Sequence, residues 1–283
     1  MGQAAPMPDV SIIIVNTNTR DWLAGCLTSL RAQDVFETIQ VIVVENASSD
    51  GSREMLAEKF AWAESIQLDE TIGFGPANNV GARQARSDVL LFLNQDTVSE
   101  KDALRLFLEE LAKHPRWGVA GGTVYDGDGE LERSTGSYPT MTSLVMNRIL
   151  LSVGFLRPLL SSRSFQHWQG YDRARHVGWV TGAYLWIRRS LFEELEGFDE
   201  NIYLYCEDVD LCYRAVGLGW ECLYLPAGRI VHYRNKAPVP RARKLMQREY
   251  LAYFGRKHYH GPQYLLTRLF LWMLARKSTR EKD

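Results

Sequence analysis

Asp96 closes the run Val89-Leu90-Leu91-Phe92-Leu93-Asn94-Gln95-Asp96, an apolar stretch of strand length that turns polar and stops on a carboxylate. A buried parallel strand reads as a continuous apolar run. Ligands of open α/β sheets bind beyond the carboxyl ends of such strands. A carboxylate placed there can hold a hard cation, and the cation can hold phosphates. A second acidic group, Glu207, Asp208 and Asp210, falls within four residues beside Tyr203 and Tyr205. Carboxylates that close repel one another unless something cationic is near. Displacing a nucleotide leaving group needs positive charge on the diphosphate and a base for the proton of the attacking hydroxyl. Asp96 suits the first need and a carboxylate at the start of a helix suits the second. Plainer readings stand beside these: Asp96 as the cap of a helix beginning near Glu100, and Glu207-Asp208 as helix capping and dipole compensation.

The elements that must position these groups alternate along the chain. Ser11–Val15 is a β-branched run that stops at Asn16-Thr17-Asn18, and Leu23, Leu27 and Leu30 then fall on one helical face. Val41–Val44 is a second buried strand, followed by Glu45-Asn46-Ala47-Ser48-Ser49-Asp50-Gly51. Ser52 is placed to cap a helix holding Met55, Leu56 and Phe60. Ile66–Leu68 reads as a short third strand. The loop Gly73-Phe74-Gly75-Pro76 leads into a helix from about Ala77 to Ala85. After Asp96 come a helix around Leu104, Leu108 and Leu111 and a strand at Trp117–Gly121. This order predicts an α/β protein with a doubly wound, mostly parallel sheet. Residues 130–178 carry no assignable pattern. Trp179–Ile187 reads as one strand with Gly182-Ala183 inside it, and Asp208 starts a helix through Ala215 that Gly217 and Gly219 end. Trp220–Leu225 and Ile230–His232 read as two further strands. The pattern divides the chain at 1–125, 126–235 and 236–283. No GxGxxG and no GxxxxGK[ST] occurs, so neither the dinucleotide fingerprint nor the P-loop is present.

At 283 residues, 46% hydrophobic and 24% charged, the composition is that of an ordinary soluble domain, and a net charge of -1 gives no case for nucleic acid. The charge is uneven. Residues 241–283 hold eleven Lys and Arg against three Asp and Glu, a net of +8, which leaves 22 against 31, a net of -9, elsewhere. Such a tail is expected to meet an acidic surface, anionic lipid among the candidates. Leu265, Leu266, Leu269, Phe270, Trp272 and Met273 cluster with Arg268, Arg276 and Lys277, so this segment lies in a membrane interface, packs on the catalytic part, or makes a homodimer contact. Cys26, Cys206, Cys212 and Cys222 form no CxxC pair and are expected as reduced thiols. With no secretory leader and no apolar run of membrane-spanning length, the expectation is a cytoplasmic protein, peripheral on the inner face of the membrane.

Taken in order, Ser-Ile-Ile-Ile-Val-Asn-Thr-Asn, Val-Val-Glu-Asn-Ala-Ser-Ser-Asp-Gly-Ser, Gly-Phe-Gly-Pro-Ala-Asn-Asn-Val-Gly and Leu-Asn-Gln-Asp-Thr resemble the family 2 glycosyltransferases. Val180-Thr181-Gly182-Ala183, Arg188-Arg189, Gly-Phe-Asp-Glu and Tyr-Cys-Glu-Asp-Val-Asp-Leu-Cys-Tyr-Arg extend the likeness over residues 9–234, nearest the bacterial rhamnosyltransferase type. The resemblance implies a GT-A fold with a C-terminal helical extension and inversion at the anomeric carbon. It also implies a dTDP- or UDP-linked sugar donor, dTDP-rhamnose in the rhamnosyltransferase branch, and a saccharide or lipid-linked acceptor in cell-surface polysaccharide synthesis. By the same likeness, Asp96 ends a DxD-like element (Asn94, Gln95, Asp96) and would touch Mg²⁺ or Mn²⁺, with His232 a second ligand. Asp208 would be the general base. Asn16, Asn18, Arg20, Glu45, Asn46, Gly73, Asn78 and Asn79 would line the donor pocket, and Trp179, Gly182, Ala183 and Glu207 the acceptor side.

Several of these positions have alternatives: His232 as a satisfied strand-end residue, Asn78 as a helix cap, Glu45 as a partner of turn amides, and Trp179 as core. Arg188-Arg189 is either a solvated face or a diphosphate clamp. The chain departs from the family pattern in keeping one carboxylate of the DxD element and in placing Gly178 where relatives often carry an acid before the Trp. Two other classes remain: a nucleotidyltransferase, which would want a basic Gly-rich first loop, and a non-catalytic nucleotide-sugar-binding module.

Overall fold

The computed structural model describes residues 7–138, 171–233, 241–261 and 265. Four parallel strands form one half of its main sheet: β1 (Val10–Asn16), β2 (Ile39–Asn46), β3 (Glu64–Leu68) and β4 (Val89–Leu93). They are joined by α1 (Arg20–Arg31), α2 (Ser52–Lys59) and α3 (Phe74–Ala82). β1 is buried along its whole length and β4 is apolar throughout because helices cover both faces. Successive β1 residues serve opposite cores. Ile12 and Ile14 pack with Leu23 and Leu27 of α1, and Ile13 packs with Ala77 of α3.

Beyond β4 come β5 (Thr97–Ser99), α4 (Ala103–Leu111), β6 (Trp117–Gly121), β7 (Val124–Asp126), β8 (Thr135–Gly136), β9 (Arg175–His176), β10 (Trp179–Val180), β11 (Tyr184–Arg188), α5 (Arg189–Glu194), α6 (Glu207–Gly217), β12 (Glu221–Tyr224), β13 (Ile230–His232) and α7 (Arg241–His258). The main sheet has eight strands in the order β3-β2-β1-β4-β11-β6-β12-β9. β11 runs antiparallel between β4 and β6, so residues from both sides of position 125 build one sheet. Trp186 at its centre is fully buried and stacks on Phe107 of α4 at 4.6 Å. A second sheet, β5-β13-β7, stands beside the end of β4.

The expected α/β order holds, with local differences. The run from Trp179 is two strands, because Thr181–Ala183 turn out of the sheet and β10 pairs with β8 instead. Asp96 does not cap a helix: β5 intervenes, and α4 starts at Ala103 after Asp102. Ser52 is the first residue of α2 rather than its cap; Gly51, at φ +84°, precedes it, and Asp50 accepts the Ser52 amide at 3.1 Å. α3 begins at Phe74, three residues before Ala77, on the amide–carbonyl bond Phe74 N to Tyr203 O at 2.8 Å. The residues 266–283 of the tail lie outside the described residues, so its expected lipid-facing cluster does too, apart from Leu265, which is exposed. No described helix is long and apolar enough to cross a membrane.

Candidate active site

β1, β2, β3 and β4 end at one rim of the sheet, and β11 begins there, with Tyr184 opposite Leu93. At the β1 and β2 ends, Asn16 and Glu45 are both buried. The Asn16 amide donates to both Glu45 carboxylate oxygens at 2.9 and 3.2 Å, and the Ser48 hydroxyl also donates to that carboxylate. Glu45 is thus served by side chains, not turn amides. Burial pushes its carboxyl above the usual range, and the bonds from Ser48 and Asn16 oppose that shift. Asn18 adopts φ +52° and exchanges bonds with the 48–49 turn: its amide donates to Ser48 Oγ at 2.9 Å and its side-chain oxygen accepts Ser49 N–H at 2.8 Å. The Arg20 amide donates to Asp50 at 2.7 Å, so the first loop is pinned to the second while the guanidinium stays half exposed. Asn46 clamps both backbone groups of Ile72 at 2.9 Å. Beside these loops lies a cavity of about 520 Å³ lined by Ser48, Ser49, Arg53, Leu68 and Asp69 among others. Its size and mixed lining suit a nucleoside.

At the end of β4, His232 Nε2 lies 3.1 Å from Asp96 Oδ1 and 3.3 Å from the Asn94 amide nitrogen. His232 Nδ1 lies 3.2 Å from Glu132 Oε2. The Tyr233 amide donates to the Asp96 carbonyl at 2.8 Å, which fixes β13 against this turn. Burial alone would lower the His232 pKa, but the hydrogen bonds and charges of Asp96 and Glu132 outweigh it and hold the imidazole above its usual value. Among the described residues no group of three or more His, Cys, Asp or Glu is arranged to hold a metal ion. Two ligands are what a cation bound mainly through substrate phosphates and water requires. Two cis ligands about 2.1 Å from one cation stand roughly 3 Å apart, and the Asp96–His232 separation of 3.1 Å matches that edge. A carboxylate and an imidazole are donors a divalent cation takes, and here they meet at a distance that an ion pair also gives, with Glu132 on the other ring nitrogen.

Asp208 sits one residue into α6. Its Oδ2 accepts the Gly182 N–H at 3.0 Å and its Oδ1 accepts the Val209 N–H at 2.8 Å. The next residue, Ala183, accepts the Asn94 N–H through its carbonyl at 3.1 Å. A continuous bonded path thus joins Asp208 through Gly182 and Ala183 to Asn94, and onward through His232 to Asp96. Glu207 is buried, and one of its oxygens, Oε2, has no hydrogen-bond partner. Burial, helped by the Asp208 charge, pushes its carboxyl up to about 8.

That shift gives a stability test. The folded-state pKa of Glu207 is raised from 4.5, so its contribution is complete below pH 4.5 and is lost as pH rises through about 8. Glu207→Gln, which cannot ionise, is expected to flatten the fall in Tm between those limits. It should be more stable relative to wild type on the alkaline side than on the acid side. Parallel Tm-versus-pH curves for the two proteins would show the assignment to be wrong.

Other predicted positions go elsewhere. Asn79 is spent on Phe198, donating to its carbonyl at 2.9 Å and accepting its amide at 2.8 Å, and Asn78, inside α3 rather than capping it, donates to Phe74 O at 2.9 Å. Gly73 faces Tyr203. Gln95 is half-buried beside Asp96. The indole N–H of Trp179 donates to Ser137 O at 3.0 Å and the ring packs on the core around Val180. Arg188-Arg189 is no diphosphate clamp. Both lie at the far end of β11, where Arg188 donates to Trp117 O at 2.7 Å and Arg189 to Ala85 O at 3.0 Å. All four cysteines are free, and burial pushes the Cys26 thiol up to about 12. Glu132 and Ser48 were not legible as site residues: Glu132 falls in the stretch without periodicity, and Ser48 reads as one more turn serine.

A doubly wound sheet with acidic groups gathered at its carboxyl rim is the architecture of the GT-A glycosyltransferases. Residues 11–195 match the family model of Glycosyl transferase family 2, and the chain belongs to that family. It is similar to the N-acetylglucosaminyl-diphospho-decaprenol L-rhamnosyltransferase of Mycobacterium tuberculosis H37Rv, at 25% identity over 69% of this chain and 67% of that protein. It is also similar to the rhamnosyltransferase WbbL of Escherichia coli K12, at 26% identity over 80% of this chain and 84% of that one. In fold it is similar to the mannosyltransferase PcManGT of Pyrobaculum calidifontis, solved with GDP-Man and Mn²⁺ (TM-score 0.61, 18% identity, 95% of this chain and 72% of that chain). GalNAc-T7, solved with UDP, GalNAc and Mn²⁺, is a further neighbour (TM-score 0.59, 16% identity, 81% and 44%). The chain is therefore a glycosyltransferase, which sets aside the nucleotidyltransferase alternative.

Proposed function

We propose that the protein transfers L-rhamnose, with inversion, from a dTDP-linked donor to a saccharide or lipid-linked saccharide acceptor, with a divalent cation held by Asp96 and His232. The observation that supports the reading is the bonded path from Asp208 to Asn94, which brings the carboxylate at the start of α6 and the acidic end of β4 to one rim. The rhamnosyl assignment draws support from the two similar rhamnosyltransferases. The Asn16, Glu45 and Ser48 group and the adjoining cavity take the nucleoside. Asp208, aimed by the Gly182 and Val209 amides, takes the proton of the acceptor hydroxyl as that oxygen attacks the anomeric carbon. Glu207, neutral at physiological pH, can offer a hydrogen bond to the acceptor without adding charge beside Asp208. The cation, when bound, neutralises charge on the departing diphosphate. The basic, leucine-rich end of the chain suits an acceptor presented at an anionic membrane, where a cytoplasmic enzyme would work peripherally.

The test is a panel of nucleotide sugars with acceptor, with Mn²⁺, Mg²⁺ or chelator, reading nucleoside diphosphate release and the anomeric configuration of the product. Release from dTDP-rhamnose alone, dependent on metal and inverting, is expected; retention of configuration would reject the mechanism. His232 must be neutral to ligate, and its pKa is raised. Protons and cation therefore compete, so Mn²⁺ affinity should rise with pH above the ordinary imidazole value of 6.5 and should lose that dependence in His232→Gln.

A further inference from the structure

The candidate base lies in a segment with a clasp at its two ends. Lys257 of α7 donates from one ammonium to Asp199 Oδ2 at 2.7 Å and to Asp210 Oδ1 at 2.8 Å. Between those two carboxylates runs the segment 199–210, which carries Glu207 and Asp208. Asp210 is buried, its side chain 0% exposed, and Asp199 is half-buried, with 9% of its side chain exposed. Burial would raise both pKa values, yet Lys257 with hydrogen bonds from Asn201 and from Tyr253 of α7 at Asp199, and His258, Arg214 and Lys257 at Asp210, hold both below the usual carboxylate range, so both are ionised. His258 adds a contact to Asp210 at 2.6 Å, and Arg214 binds its other oxygen at 2.7 Å.

A buried cluster of this kind is a poor source of net stability, since apolar residues of the same size often do as well. What it supplies is geometry. Residues two apart on a helix point about 200° apart. Asp210 is therefore gripped from α7 on the side away from Asp208, whose carboxylate is turned to Gly182. The entry to α6 needs such a grip, because Tyr205 and Cys206 stand in succession at φ +72° and +70°, conformations that side chains other than glycine adopt at a cost.

We propose that Lys257 is a positioning residue for the candidate base: by joining Asp199 to Asp210 it closes the 199–210 segment and fixes where Asp208 stands, making the C-terminal helix part of the active site. This rests on the reading of Asp208 as base. The basic tail thus meets an acidic surface within its own chain, at least through this pair of carboxylates.

The experiment compares wild type, Lys257→Met and Lys257→Arg as full-length protein by amide hydrogen exchange without substrate, and then by transfer kinetics and donor binding. In Lys257→Met, exchange over 199–210 should rise about tenfold or more while β1 and β2 stay protected. Its kcat should fall about 10- to 100-fold at donor Kd within about twofold, a positional effect. Lys257→Arg, which can span both carboxylates, should recover most of both. If Lys257→Met does not fold, the double variant Lys257→Met/Asp199→Asn removes the stranded charge and carries the same measurements. Unchanged exchange over 199–210 overturns the clasp whatever the enzyme's reaction is. Raised exchange with unchanged kcat overturns the positioning role, and equal loss of kcat and donor affinity reduces Lys257 to general stability. A failure of the functional reading is seen separately, as wild type turning over no nucleotide sugar.

Discussion

Asp208→Asn should lower turnover about a thousandfold and leave nucleotide-sugar binding within about twofold. Removing a positioned general base costs 10²–10⁴ in rate. The substitution preserves shape, and one amide oxygen can still accept from Gly182 or Val209, so the start of α6 should keep its place. Asn16, Glu45 and Ser48, proposed above to take the nucleoside, are bonded to one another and not to Asp208, which is why binding should survive. A second consequence is electrostatic. The Asp208 charge helps to push Glu207 upward, so the asparagine variant should bring the Glu207 pKa back toward the ordinary range. Turnover close to wild type, in a variant that binds donor, would remove Asp208 from the chemistry.

The second large effect is expected at Gly73. Its φ is -61°, so it is not glycine for the sake of an unusual backbone conformation. A Cβ there would lie 2.7 Å from the Tyr203 carbonyl oxygen and 2.8 Å from Tyr203 Cα, and backbone atoms cannot swing aside. Gly73→Ala must push the start of α3 away from the 202–206 loop, or push that loop and the following Asp208 away from the rim. A loss of about 1–3 kcal/mol in stability is expected from the overpacking, with transfer falling about tenfold or more as the proposed base, Asp208, moves. Gly182→Ala is the contrast. Its Cβ would meet Phe74 at 3.5 Å and Asp208 at 3.7 Å, ordinary contact distances, so the variant should fold with close to wild-type stability. Chemical denaturation and steady-state kinetics on the pair decide the matter; equal behaviour of the two alanines would mean that crowding against Tyr203 is relieved without consequence.

The parallel half of the sheet could be read from residue type because burial on both faces leaves an unbroken signature: Ser11–Val15, Val41–Val44 and Val89–Leu93 all became strands. Helical spacing likewise placed Leu23, Leu27 and Leu30 against the sheet. What escaped has local physical causes. β5 is three residues long and polar at both ends, so no periodicity announces it. Thr181-Gly182-Ala183 looked like strand interior, but that turn bonds sideways to Asp208 and to Asn94 and must leave the ladder to do so. Asn79 shows the limit of reading roles from type: an amide suits a nucleotide or a backbone equally, and only packing against Phe198 reveals which it serves. Glu132 could not be picked out at all, since its meaning depends on His232, a hundred residues away in sequence.

Because β11 runs against its neighbours, its two ends have opposite fates. At its N-terminal end the chain opens into turns whose backbone bonds reach other loops. At the far end, Arg188 and Arg189 are sealed onto the carbonyls of Pro115, Trp117 and Ala85. Insertions and sequence drift at the open rim could therefore recast which sugars are accepted without unsettling the barrier of strands beneath. A comparable change at the sealed rim would strand guanidinium groups and unpick the sheet itself. The direction of this one strand sets its N-terminal turns, and not its arginine-bearing end, at the rim where Asp208 and Asn94 are bonded.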